Sequence, residues 1–262
     1  MDGVEKRLTR IFRRDQKTVI VPMDHGVTLG PVEGLRDMNR TVNELLKANV
    51  DAFVIHKGIA RTVNTGSAGL IVHLSASTKH SPDANRKVRV CSVLEALRLG
   101  ADAVSVHINV GAPFEAEMLT KLGNVADECH TYELPLLAMM YPRGPSIQNE
   151  HDPDVVAHAA RLGAELGADI VKTNYTGDVE SFKQVVASCP VPLIIAGGPK
   201  AKTDHDILQM VYDANLAGCA GISIGRNVFQ HKSPRNMARA LIAIVHEGST
   251  VDQAFRLVSE RE

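Results

Sequence analysis

The sequence has no tract of basic residues, no paired cysteines and no long apolar run, and each absence removes a class of function. Lysine and arginine total 29 against 30 acidic residues, a formal net charge of −1, and they are spread along the chain. That distribution suits neither a nucleic-acid backbone nor an anionic membrane surface. Cys91, Cys129, Cys189 and Cys219 are widely spaced singles with no C-x-x-C pair. A disulfide framework or structural zinc site is thereby disfavoured, and a reducing cytoplasm is the expected compartment. No apolar run approaches the roughly 18 residues that would span a bilayer. Residues 1–14 alternate basic and apolar positions and lack the apolar core of a signal peptide. Val4, Leu8, Ile11 and Phe12 fall instead at the spacing of an amphipathic helix.

What is present is ordinary in bulk and regular in pattern. Hydrophobic residues make up 44% of 262 and charged ones 23%, enough apolar material for a sizeable core. Apolar, strand-like runs occur at 18–24, 51–56, 70–75, 103–108, 134–141, 169–175, 191–197 and 221–225. Most are near-continuous rather than alternating, as strands covered on both faces require. Between them, three- and four-residue apolar spacing predicts helices over 33–49, 90–99, 116–132, 154–166, 179–188, 204–216 and 234–247. Gly100, Gly167 and Gly218 stand where helix C-terminal caps are expected. Eight strand–helix units in about 250 residues predict an α/β fold, a (β/α)8 barrel with an N-terminal helical extension. A doubly wound open sheet would carry a Gly-rich first turn, and none is present. With no linker or low-complexity stretch, one domain over 1–262 is expected. The polar connection 76–89 is expected to cover the barrel mouth, and 250–262 to form a closing or interface helix.

Lys172 is the anomaly in this pattern. It sits within Asp169-Ile170-Val171-Lys172-Thr173-Asn174-Tyr175, a strand-forming stretch, yet lysine is almost never buried unless paired. Desolvation favours the free amine, which can attack a ketone and form an iminium that activates the neighbouring carbon. Barrel sites gather at the C-terminal strand ends. That rule collects Asp24, His25, His56, Lys57, His73, Ser75, His107, Asn109, Tyr141, Arg143, Lys172, Asn174, Gly197, Gly198, Gly225 and Arg226. Tyr141 is a candidate proton shuttle, with a phenol pKa lowered beside an iminium. Asp24 is a candidate to orient the lysine or relay a proton. The Gly197-Gly198 and Gly225-Arg226 segments end the seventh and eighth strands, where barrels commonly bind phosphate. His25, His56, His73 and His107 raise the alternative of a metal site, but no H-x-H pair or matched acidic ligand accompanies them. Neither metal nor cofactor is expected. A non-catalytic sugar-phosphate-binding barrel would have no use for Lys172.

Taken together, V-P-M-D-H-G at 21–26, M-M-Y-P-R-G at 139–144, D-I-V-K-T-N-Y at 169–175, I-I-A-G-G-P at 194–199 and G-I-S-I-G-R-N at 221–227 resemble the archaeal class I aldolase family. That family includes fructose-bisphosphate aldolases and heptulosonate synthases, and I-V-H-L-S-A-S-T at 71–78 with S-P-D at 81–83 looks closer to the synthases. The resemblance implies Lys172 as Schiff-base lysine, Tyr141 as proton donor and Asp24 as acid/base partner. It further implies substrate contacts from Asp24, His25, Gly26, Val27, Thr28, Tyr141, Pro142, Arg143, Gly197, Gly198, Gly225 and Arg226. The implied partners are a sugar phosphate and aspartate semialdehyde, with transfer of a three-carbon ketol unit between them. Fructose-bisphosphate cleavage is the alternative. Arg143, or a basic residue of 76–89, is available for the semialdehyde's carboxylate. Lys79-His80 departs from the family pattern, which has less basic residues there. A homo-oligomeric ring is also implied, a decamer among its forms.

Overall fold

The computed structural model describes residues 2–260. Its strands are β1 (Thr18–Pro22), β2 (Ala52–His56), β3 (Gly69–His73), β4 (Ser75–Ala76), β5 (Val88–Arg89), β6 (Ala103–Val110), β7 (Leu136–Pro142), β8 (Ile170–Thr173), β9 (Leu193–Ala196) and β10 (Gly221–Ser223). Eight of them close a barrel in the order β1-β10-β9-β8-β7-β6-β3-β2, while β4 and β5 form a separate antiparallel pair. Every barrel pairing is parallel. These are the eight runs expected from sequence, and the molecule is a (β/α)8 barrel. Burial of all seven residues of β7 explains why such strands read as unbroken apolar runs: interior on one face, helices on the other.

An aspartate just before a strand recurs as a staple. The Asp51 carboxylate accepts from Val19 N at 2.6 Å, Asp102 from Leu70 N at 2.9 Å and Asp169 from Leu136 N at 2.8 Å. Each satisfies an amide at the start of the neighbouring strand and so pins barrel register at its floor.

The helices follow the predicted pattern, two of them with later starts. The first is Met38–Leu46 rather than 33–49, because the Asp37 side chain caps it through Arg40 N and Gly34 turns at φ +79°. The second is Val93–Arg98, capped by Ser92, because Val90 is held by Leu74 O in the β4–β5 region. The last helix, Val251–Ser259, begins with a Thr250–Gln253 capping box and packs on Pro234–Glu247 and Asp204–Leu216 of its own chain. Residues 261 and 262 of that predicted segment, and Met1 at the other end, lie outside the described residues. Short helices at His25–Leu29, Lys57–Ala60 and Arg226–Phe229 follow strand ends and had no periodic signal. No helix among the described residues is long and apolar enough to cross a membrane.

The N-terminal extension closes the barrel floor. Its helix, Gly3–Leu8, leads into Ile11, which is fully buried against Ile20, Ala52, Val54 and Ile71. The Thr18 hydroxyl donates to Ile11 O at 2.6 Å. Gly69 is required there, since a Cβ would stand 2.8 Å from Arg10 O.

Candidate active site

Alternation along the strands decides what reaches the interior. On β8, Ile170 belongs to the floor layer and Lys172 to the next layer up, paired in register with Met139 of β7. Tyr141 stands one layer nearer the mouth. A cavity of about 290 Å³ opens above this layer, lined by Asp24, His25, Thr28, Lys87, His107, Met139, Tyr141, Arg143, Lys172, Asn174, Gly197, Gly198, Ser223, Gly225 and Arg226 among others.

Of the residues expected at the site, Gly26, Val27 and Pro142 do not line it, nor do His56, Lys57, His73, Ser75 and Asn109 from the strand-end list. His25, Thr28 and Leu29 share one face of their short helix, which turns Gly26 and Val27 outward; Val27 is 39% exposed. Pro142 follows Tyr141 and so takes the outer face of β7. Met139 and Ser223 were not anticipated, and Lys87 was covered only as one of the basic residues of 76–89. Met139 and Ser223 lie two residues before Tyr141 and Gly225, so strand parity contained the signal. Lys87 reaches the cavity from the β4–β5 connection, which no local pattern announces.

Lys172 is 5% exposed. Burial and the Arg226 guanidinium push its ammonium down, against the attraction of Asp24, to about 8. At pH 7 roughly a tenth of it is then free amine, against far less than a hundredth for an ordinary lysine. Burial works to raise the Asp24 carboxyl, but His73, His25 and His56, which take up protons in acid, together with Lys172 outweigh it and hold it well below the usual carboxylate range. His25 Nδ1 and His73 Nε2 stand 3.6 and 3.7 Å from its oxygens. Burial pushes His73 down to about 3, so this imidazole is neutral at pH 7, and its Nδ1 is bonded to Ser105 Oγ at 2.7 Å. His25, His56 and His107 are likewise lowered by burial. The site at neutral pH is thus a lysine poised to lose its proton, an ionised carboxylate and a set of neutral imidazoles.

The lowering expected for Tyr141 belongs to the state with an iminium beside it, and the free site is different. Burial raises its phenol well above the ordinary range, despite Arg143, and Asp24 adds to the rise. The free site holds no iminium, and there burial keeps the phenol protonated against the Arg143 and Arg226 guanidinium groups. The Tyr141 ring packs against His107 at 4.9 Å, and Arg143 Cζ lies 5.4 Å from its centroid. Arg143 is bound by Glu150, Nε to Oε1 at 3.1 Å and Nη2 to Oε2 at 3.1 Å.

The β9 and β10 ends make an electropositive rim. Arg226 Nη2 donates to Gly198 O at 2.8 Å, while its Nε and the Ser223 hydroxyl are buried with no hydrogen-bond partner. Asn227 Nδ2 ties the two loops by donating to Gly197 O and Pro199 O, both at 3.1 Å. At Gly225 a Cβ would stand 2.7 Å from both Pro22 O and His25 Cε1. Two orphaned donors, a guanidinium and glycine backbone form a binding edge for an anion. Among the described residues, no three or more His, Cys, Asp or Glu are grouped to hold a metal ion.

A family model, that of the DeoC/LacD family aldolases, matches residues 18–231. The chain belongs to the DeoC/LacD aldolase family. This aldolase is 47% identical to a 2-amino-3,7-dideoxy-D-threo-hept-6-ulosonate synthase of Archaeoglobus fulgidus, over 97% of this chain and 95% of the relative. It is 46% identical, over the same shares, to the synthase of that name from Halobacterium salinarum. It is 45% identical to a 2-amino-4,5-dihydroxy-6-oxo-7-(phosphonooxy)heptanoate synthase of Streptomyces griseus, over 93% of this chain and 90% of the relative. The aldolase also superposes on solved archaeal fructose-1,6-bisphosphate aldolases. One matches with a TM-score of 0.89 at 38% identity, over 94% of this chain and all of the other. Another, solved with its catalytic lysine bound covalently as a carbinolamine, matches with a TM-score of 0.88 at 37% identity, over 93% of this chain and 99% of the other.

Proposed function

We propose that this chain is a Schiff-base transaldolase, a 2-amino-3,7-dideoxy-D-threo-hept-6-ulosonate synthase. The observation that carries the reading is Lys172, buried in the interior of an apolar barrel yet lowered to about 8, with Asp24 and Tyr141 lining the same cavity. The names of the relatives at 46–47% identity support the choice of reaction.

The Lys172 amine attacks the C2 ketone of 1-deoxy-D-threo-hexo-2,5-diulose 6-phosphate, and water leaves to form an iminium. The bond between C3 and C4 then breaks. Its electron pair flows toward the iminium nitrogen, and the C4 hydroxyl gives up a proton as it becomes an aldehyde. Asp24, ionised and interior, serves as the base for that proton. Hydroxypyruvaldehyde phosphate departs and leaves a three-carbon enamine on Lys172. Tyr141, held protonated, supplies the proton needed when carbinolamine loses water. In the second half, enamine carbon attacks the aldehyde of L-aspartate 4-semialdehyde, the new alkoxide takes a proton, and hydrolysis of the iminium frees Lys172.

Fructose-bisphosphate cleavage would use the same lysine, and the likeness to solved aldolases of that kind keeps it as the second reading. Intact mass after borohydride reduction tests both, with the diulose phosphate and, separately, fructose 1,6-bisphosphate; Lys172→Met is the control. An adduct mapped to Lys172 supports the iminium, and turnover with aspartate semialdehyde selects the synthase. Binding without any reducible adduct would remove the Schiff-base reading.

A further inference from the structure

The interior cations divide by position around the barrel. Arg226 and the paired glycines belong to β9 and β10, while the β4–β5 connection rises between β3 and β6. In the closed order β1-β10-β9-β8-β7-β6-β3-β2, those two pairs are diametrically opposite. A substrate held through Lys172 therefore meets one electropositive edge at each end.

The connection 76–89 carries five basic residues, and their partners leave one available. Arg86 pairs with Glu117 at 2.9 Å, and Arg89 forks onto Glu128 at 2.6 and 2.7 Å. Lys79 and His80 do not line the cavity. Lys87 does, half-buried, with Nζ on the neutral Ser77 hydroxyl, which itself donates to Ala84 O at 2.7 Å. Arg143, the other cation on this side, is already bound by Glu150.

Lys87 is also held in place from below. Lys121, 8% exposed on the helix Glu115–Tyr132, donates from Nζ to Lys87 O at 2.9 Å and to His107 O at 3.0 Å. Thr28 Oγ1 donates to Ser77 O at 2.9 Å, tying the connection to the helix that follows Asp24. Burial and Arg143 push the Lys87 ammonium down. An ammonium so placed is stabilised by gaining an anion.

Resting on the transaldolase reading, we propose that Lys87 is the specificity-determining residue of the acceptor end, binding the carboxylate of aspartate semialdehyde. In this assignment the diulose's one phosphate, which sits on the leaving fragment, is held first by the same ammonium rather than by the β9–β10 edge, which faces the uncharged methyl end. In the semialdehyde, the carboxylate carbon is the fourth atom of the chain counted from the aldehyde carbon. In the leaving fragment, the fourth atom is the phosphate ester oxygen. The two aldehydes thus present an anion at matching reach, and one cation serves both in turn.

Hydroxyacetone isolates this step, because condensation with Lys172 yields the same enamine without any phosphate. Initial rates are measured with hydroxyacetone and either aspartate semialdehyde or propionaldehyde, which is uncharged, for wild type, Lys87→Met, Lys87→Gln and Lys87→Arg. Loss of a hydrogen bond to a charged group corresponds to about a 10- to 100-fold effect. The ratio of kcat/KM for the semialdehyde over propionaldehyde falls by that amount in the Met and Gln variants, through KM, and is largely restored by Arg. A borohydride adduct at Lys172 with hydroxyacetone establishes that each variant is folded. An unchanged ratio in folded Met and Gln variants overturns the assignment while leaving the transaldolase reading intact. No product from wild type and aspartate semialdehyde overturns both.

Discussion

Lys172 and Tyr141 occupy successive interior layers of adjacent strands, the amine in register with Met139 and the phenol one layer nearer the mouth. A ketone reaching down to the amine must pass the phenol. The layering orders the chemistry before any substrate is bound.

The first consequence is a pH dependence. Attack needs the free amine, and Lys172 is lowered from 10.5 to about 8. Below that value the ammonium predominates, so kcat/KM rises with pH and levels off above about 8. A profile of kcat/KM from pH 5.5 to 10 checks this, and a flat profile across that range contradicts a titrating amine.

Tyr141→Phe removes the proton but keeps the ring against His107. We expect kcat to fall about 100- to 10,000-fold, the usual span for a lost acid–base group. Near wild-type stability should accompany that loss, measured by urea denaturation. Full turnover in Tyr141→Phe would move the proton to Asp24 or water.

Gly225→Ala places a methyl 2.7 Å from Pro22 O, a backbone atom with little freedom to yield. The Asp24–His25 turn must shift outward. Destabilisation of about 1–3 kcal/mol is expected from such overpacking, together with a fall in kcat/KM beyond what stability explains. Thermal melts and kinetics on the same preparation separate the two.

Lys121 predicts a stability slope. It is lowered from 10.5 to about 7 by burial first and then by Lys87. Between those values the unfolded chain binds more proton than the folded one, so unfolding free energy rises with pH. The gain attributable to Lys121 is at most about 1.4 kcal/mol per pH unit. Lys121→Met should flatten the slope between pH 7 and 9. It should also speed amide exchange at Val90, whose N–H bonds Leu74 O in the hairpin region Lys121 holds.

His246 bridges two carboxylates at the floor, Nδ1 to Asp15 at 2.8 Å and Nε2 to Asp51 at 2.9 Å. Asp51 also takes Arg13 Nε at 2.5 Å, so loss of the imidazole leaves it partly compensated. His246→Ala is therefore expected to destabilise by roughly 1–3 kcal/mol, read from urea denaturation. The Asp15 carboxyl, opposed by burial but lowered overall by His246, contributes stability that is present above its ordinary pKa and lost on acidification below it.

The barrel was legible because parallel strands buried on both faces leave continuous apolar runs, and because Lys172 interrupts one of them. Asp24, Tyr141 and Arg226 followed from the rule that strand ends carry the site. Short helices such as Arg226–Phe229 escaped because one turn is too brief for a period to register. The two-residue ladder between Ser75–Ala76 and Val88–Arg89 escaped for the same reason. Lys87 reaches the cavity only through that ladder and the Lys121 contacts, both long-range. Ser223 was readable from strand parity, two positions before Gly225, but a serine beside glycine draws no notice by composition.

The Ile11 plug turns the barrel into a cul-de-sac. With Ile11 across the floor, a departing aldehyde and an arriving one use the mouth in turn. Under the proposed chemistry the first fragment has to clear out before the second can be admitted, and ping-pong kinetics become a property of the architecture. The amphipathic segment at the far end of the molecule from the mouth, with no reacting group of its own, thereby sets the sequence of events at the amine.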